Sequence, residues 1–280
     1  MPRMFEKRPT LIPGRQRLSV FIGLILLCLV LTQFIELPTR TLAVTVLGSP
    51  LGVDLDAGWL MAVLLASLVC TGTDALVRTH PRAQEVSLRY TFVYWILPGL
   101  LGVAAARLLS APMARSVWVA GLAATGGLFA IVLTAEYTTV DPVAPIYPQA
   151  RLFLNVVAYT LAFVVFILLY QTRGRSLVTA SAMLVISFAL ALDLLWHAGA
   201  KLGQTFLLAA AVGMVLGEAS WAMNYWQLSA WSGGMLLMLV FYMMTGIASQ
   251  HLQGKLSRQV LFEFLVVAVV GIAVLMVFRP

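Results

Sequence analysis

Nine stretches of the chain run 15 or more residues without an Asp, Glu, Lys or Arg. They are Leu18–Ile35, Ala57–Thr73, Tyr90–Ala106, Ser116–Ala135, Leu152–Thr172, Ser176–Leu192, Leu202–Gly217, Ala219–Gln250 and Phe264–Phe278. In water such a chain has too little polar surface to cover a core. In a bilayer each stretch approaches the roughly 20 residues that a hydrocarbon layer about 30 Å thick demands of a helix. Lipid offers the backbone no hydrogen-bond partner, so only helices or a closed barrel are admissible there. A barrel calls for short alternating segments, whereas these runs are continuous and rich in Leu, Ala, Val and Gly. The expected fold class is all-α: a polytopic integral membrane bundle of about nine transmembrane helices.

Charge bears on orientation more than on partners. Only 10% of residues are charged, 61% are hydrophobic and the net charge is +7. The basic residues stand singly between the apolar runs, which argues against nucleic-acid binding and for contact with anionic headgroups. Arg outnumbers Lys heavily, a habit of GC-rich bacterial genomes, so the expected location is a bacterial cytoplasmic membrane. Cys28 and Cys70 both fall inside apolar runs and read as small packing residues rather than a disulfide. The apolar run after Arg17 is too long for a secretory signal and lacks a small-x-small cleavage site, so an uncleaved anchor is expected.

The expected helices are Arg17–Leu37, Ala57–Val77, Tyr90–Ser110, Arg115–Ala135, Gln149–Gln171, Ser176–Ala198, Thr205–Trp226, Ser229–Gln250 and Gln259–Phe278. Residues 1–280 form one transmembrane domain in this reading, with a basic cytoplasmic tail at 1–16. With the N-terminus inside, twelve Lys and Arg fall on inner segments and six on outer ones. The positive-inside rule therefore places the C-terminus outside. One short loop opposes that count, because Arg173 and Arg175 land outside. A re-entrant span at Pro98–Gly99 would invert the later helices, although an ordinary proline kink accounts for that dipeptide as well. Between the first two helices, Leu42, Val44 and Val46 alternate with polar residues. A Gly48–Ser49–Pro50 turn follows, then Leu51, Val53 and Leu55, the pattern of a short extracytoplasmic β-hairpin over 38–56. Pro142, Pro145 and Pro148 predict a stiff, extended strap.

Ionisable groups within the apolar runs are the candidate functional residues, since burying charge in lipid is costly. Glu218 is the deepest. With Trp221 and Tyr225 it shares a helical face, at spacings of three and four. Asn224 follows, and Gln33 of the first run is a possible neighbour at similar depth. These four, Glu218, Trp221, Asn224 and Gln33, are the candidates for substrate or proton binding. Gly213 and Gly217 form a Gly-x-x-x-Gly face that allows close helix approach, in this chain or with another membrane subunit. Asp193 and His197 stand at i and i+4, where a carboxylate can orient an imidazole. With Asp74 they make up an alternative acid–base set for a lipid or lipid-linked substrate at the cytoplasmic leaflet. His80, Glu136, Arg151, Asn155, His251 and Glu263 are expected to frame a polar vestibule around that end.

Searches for stronger signatures come back empty. There is no His-Glu-x-x-His, no Asp-Asp-x-x-Asp and no phosphate loop of the Gly-x-x-x-x-Gly-Lys type. Gly72–Arg78 lacks the Arg spacing and the later aspartates of CDP-alcohol phosphotransferases. No two histidines share a ligand-grade spacing, so neither metal nor cofactor is expected. The chain thus reads as carrier-like or as a structural subunit of a membrane complex, with lipid as its first partner and no evident catalytic motif.

Overall fold

The computed structural model describes residues 14–34, 40–46, 49–55, 57–86, 90–171, 176–198, 201–226 and 228–277. Most of the basic tail lies outside the described residues, as do Arg173 and Arg175. The helices are α1 (Arg15–Leu31), α2 (Ala57–Arg78), α3 (Pro81–Val86), α4 (Val93–Leu109), α5 (Arg115–Thr139), α6 (Tyr147–Gln171), α7 (Ser176–Trp196), α8 (Leu202–Met223), α9 (Ala230–Leu252) and α10 (Arg258–Val277). Between α1 and α2 lie two seven-residue strands, β1 (Arg40–Val46) and β2 (Ser49–Leu55). They pair antiparallel in the register Arg40↔Leu55 through Val46↔Ser49.

Each expected helix has a long counterpart here, and the short α3 is an addition inside a predicted loop. Crossing a membrane is a stricter demand. Among the described residues, six helices are long and apolar enough: α2, α5, α6, α7, α8 and α9. Helices α1 and α4 have 17 residues each, a rise of about 26 Å at 1.5 Å per residue, short of a full hydrocarbon layer. Length and hydropathy thus give six candidate crossings among the described residues, and the nine expected from the sequence are not all reproduced. Helix α4 continues through Pro98 without a break in its assignment. The Pro-rich strap is also shorter than expected. Ala144 N–H donates to Asp141 O and Tyr147 N–H to Ala144 O, so two turns fill the space. Pro148 lies in the first turn of α6, where a missing N–H costs nothing.

The chain divides into two compact units, Met1–Leu154 and Asn155–Pro280. In the first, α2 packs along α4 by way of small residues. Gly102 faces Leu65 and Val69, and Gly99 faces the Cys70 sulfur. Phe21 of α1 lies directly over Gly72, leaving no room for a side chain there. Leu26 of α1 meets Gly126 of α5 in the same way. Both cysteines are free thiols.

In the second unit α7 and α8 form the closest pair. A Cβ on Gly213 would come within 2.8 Å of the Leu184 carbonyl, and one on Gly217 within 3.1 Å of the Leu184 Cβ. The C-terminal part of α6 rests on α9 where Gly233 and Gly234 admit Tyr170 and Ile167. Edge-on contacts of Phe241 with Phe166 and Tyr159 continue that seam. Helix α9 starts on a Ser229 side chain that accepts the Ser232 N–H. It ends in a Schellman turn: Lys255 N–H reaches Gln250 O, Gly254 N–H reaches His251 O, and Gly254 takes φ +67°.

Candidate functional site

The richest polar site of the first unit is built where α2, α3, α5 and the 141–146 turns meet. Helix α2 ends in Asp74 and Arg78, one turn apart. The Arg78 Nε donates to Asp74 Oδ2 at 2.7 Å, and its Nη2 reaches Thr91 Oγ1 at 3.3 Å, tying α2 to the segment that starts α4. From α3, Arg82 Nη1 donates to Asp141 Oδ1 at 2.7 Å. The same oxygen accepts the Val143 N–H at 3.1 Å, so one carboxylate anchors α3 and shapes the turn that follows α5. Both pairs are partly exposed, and water screens such pairs strongly. Their larger effect is geometric, since they fix where three elements end.

Beneath these pairs the side chains are buried. His80 is buried, with its ring edge-on to Tyr137 at a centroid distance of 4.7 Å. Its Nδ1 accepts the Arg82 N–H at 3.2 Å, which puts the proton of the neutral ring on Nε2. Burial pushes the His80 pKa down, the Arg82 charge adds to that, and Asp141 opposes both. Glu136 and Arg151 are also buried, at 1% and 8% exposure. Val77, Ala83, Tyr94 and Val140 close the space between the polar groups and the apolar bundle, with Trp95 against them. The vestibule residues His80, Glu136 and Arg151 thus share one end of the first unit as buried groups, not as the lining of an open chamber. The pairing of Arg82 with Asp141, 59 positions apart, was not anticipated. Its sequence signal is a lone Asp at the head of a Pro-rich turn.

The candidates of the second unit are placed differently. Asp193 is buried at 1% exposure near the end of α7, and His197 is half-buried in the turn that follows. Asp74, their proposed companion, belongs to the first unit and is committed to Arg78. Glu218 is exposed on α8, not sunk in the bundle. The reason is helical geometry. Gly213 and Gly217 set the face that receives α7, and Glu218, one residue on, is turned about 100° away from it. Trp221 is exposed with it, at 52%, and Tyr225 beyond the helix end at 80%. The Gly213/Gly217 face, offered above to another subunit, is filled by α7 of the same chain.

Asn224 is the C-cap residue of α8, half-buried, with its N–H on Trp221 O. Tyr170 Oη finishes that helix end by donating to Met223 O at 3.1 Å and Trp226 O at 3.3 Å. Gln33 is spoken for in the first unit. Its Nε2 donates to Leu109 O at 2.8 Å, satisfying a carbonyl at the last residue of α4. Among the described residues there is no group of three or more His, Cys, Asp or Glu arranged to hold a metal ion.

Apolar helices of membrane-crossing length, closed on one another through glycine contacts, are the fold of a multi-pass helical membrane protein. Within that class the chain belongs to the family described as "Protein of unknown function (DUF5656)", whose model matches residues 37–278. No curated protein and no solved structure matches it.

Proposed function

We propose that this protein is a non-catalytic structural subunit of a larger membrane assembly, docking a neighbouring membrane helix on the outer face of α8. One observation carries the reading: Glu218 stands exposed in the middle of an outward apolar stripe. Leu207, Ala211, Met214, Glu218, Trp221 and Tyr225 are all exposed and recur at alternating spacings of four and three. That is the 3.5-residue period of a helix-pairing seam. Glu218 lies five residues, about 8 Å, short of the helix end, and a carboxyl on a lipid-facing stripe needs a donor. A basic or hydroxyl-bearing side chain on a partner helix supplies one. A carrier would instead need a solvated path to an inner carboxyl. The groove of the first unit and the cavity of the second are both lined mainly by apolar residues.

The same reading adopts nine crossings in a bacterial cytoplasmic membrane, N-terminus inside, C-terminus and the β1–β2 hairpin outside. Cysteines placed at the two chain ends should then label from opposite sides of sealed vesicles. Labelling from one side only means an even number of crossings and overturns that topology. For the docking role, the test is the mass of the particle extracted from native membranes in a mild detergent. The wild-type chain is expected in a particle well above its own 30.4 kDa. Glu218→Leu should release it as a smaller, still folded species, because Leu extends the stripe while removing the polar anchor. A wild-type particle containing a single copy of this chain and nothing else, or an assembly untouched by Glu218→Leu, ends the proposal.

A further inference from the structure

The first unit carries a groove between α1 and α2 of about 410 Å³, inside the roughly 300–1,000 Å³ range of ligand clefts. Its walls are Val20 and Leu24 on one side and Ala75 and Leu76 on the other. Phe21 over Gly72 forms its floor, so the approach that seats α1 on α2 also shapes the channel. Val20 and Leu24 are 63% and 46% exposed, which leaves the channel open along its length to whatever surrounds the bundle. Polarity is confined to one end, where Gln16, Arg17 and Thr79 line the mouth. Arg15 and Arg17 are both exposed there, and the first turn of α1 holds no acidic residue. Arg78 next to Thr79 is already neutralised by Asp74. Among the described residues the free charge at the mouth is therefore positive.

We infer that this groove binds an anionic phospholipid, one acyl chain lying along Val20, Leu24, Ala75 and Leu76, with the headgroup phosphate on Arg17 and Gln16. An apolar channel ending in cations matches an amphiphile whose charge is negative and whose tail is long. The chain's own N-terminal residues are a poor occupant. Arg3, Lys7 and Arg8 against a single Glu6 make that segment basic, and it would meet Arg15 and Arg17 with like charge. The inference needs only that the chain lie in a bilayer, and it stands or falls independently of the α8 seam.

Native mass spectrometry of the full chain in detergent tests it, with dioleoylphosphatidylglycerol and dioleoylphosphatidylcholine supplied in equal amounts. The wild type is expected to retain the anionic lipid preferentially. Arg17→Ala removes the phosphate contact and Ala75→Leu fills the channel from an exposed position. Each should cut that preference about fivefold, with the melting temperature of both variants checked. Arg115→Ala, an exposed cation at the start of α5, should leave it unchanged, and inorganic phosphate should not compete. The proposal is overturned by full retention in Ala75→Leu, or by an Arg115→Ala loss equal to that of Arg17→Ala, which would mean diffuse headgroup attraction. Displacement by inorganic phosphate would reassign the mouth to a free anion. A several-fold gain on deleting residues 2–13 would make the basic tail the occupant.

Discussion

Both units seat helices on glycines, but the first adds a charged corner at one end. In the first, Arg82–Asp141 ties α3 to the turn after α5 at 2.7 Å, and Arg78, paired with Asp74 within α2, reaches Thr91 before α4, with buried His80, Glu136 and Arg151 behind them. In the second, α7 and α8 close over Gly213 and Gly217, while α6 and α9 close over Gly233 and Gly234. Single hydroxyls add to these seams, Tyr170 on the end of α8 and Tyr159 on Thr245 at 3.1 Å. Lipid tails are as apolar as Leu, so mid-membrane helices gain little from burial and rely on close backbone approach. Charge is affordable where helices end near water, and the first unit concentrates it there. The difference implies that second-unit stability should depend on volume, and that of the first unit's polar end on pH.

Volume should give the largest effect. Gly213→Leu must push its side chain into the Leu184 carbonyl and the Phe188 Cβ. The expected cost is about 3 kcal/mol, read as a lower midpoint for unfolding in detergent. Gly203→Leu on the same helix, where nothing lies within 4 Å, should be neutral. Equal losses from the two would show that close approach to α7 does not set the stability of α8. Next comes Tyr170→Phe, which strips the donor from Met223 O and Trp226 O while keeping the ring under α9. A loss of about 1 kcal/mol is expected, with faster amide exchange confined to the last turn of α8. Unchanged exchange there would make Tyr170 a packing residue only.

What could be read in advance follows from how local each signal is. Helices within lipid announce themselves by run length, so Ala57, Arg115, Gln171 and Ser176 were placed at or within a residue of true boundaries. The alternation around Leu42–Leu55 fell where the backbone pairs as β1 and β2. Which face of a helix turns inward is a question of neighbours, on which a single sequence is silent. Glu218 was taken as deep from its place along its apolar run, and Gly213 and Gly217, by claiming α7, turn it to the outside of its unit. Gln33 was matched to Glu218 on depth alone, whereas its amide closes the end of α4. Arg82 with Asp141 and His80 with Tyr137 depend on how the α2–α3 corner meets the end of α5. No single-sequence periodicity encodes that meeting.

The smallest effect belongs to His80 and has a definite sign. Its folded pKa is depressed, chiefly by burial, so the unfolded chain takes up the proton first as pH falls. Stability from the neutral ring is then complete above the unfolded value of about 6.5 and is lost progressively as pH drops below it. Protonation has a structural consequence too. Nδ1 would stop accepting the Arg82 N–H, and a new cation would face Arg82 beside the Tyr137 ring. Protection of the Arg82 and Ala83 amides, corrected for the general slowing of exchange in acid, should therefore fall below about pH 6.5, while that of the α7–α8 amides does not fall with it. Asp141→Asn sharpens the test. It removes a charge that holds the His80 pKa up, so the depression deepens and the loss on acidification extends to lower pH. His80→Phe should flatten the dependence. A first unit whose unfolding midpoint and corner exchange ignore pH in all three forms would mean that the ion pairs, not the imidazole, hold this corner.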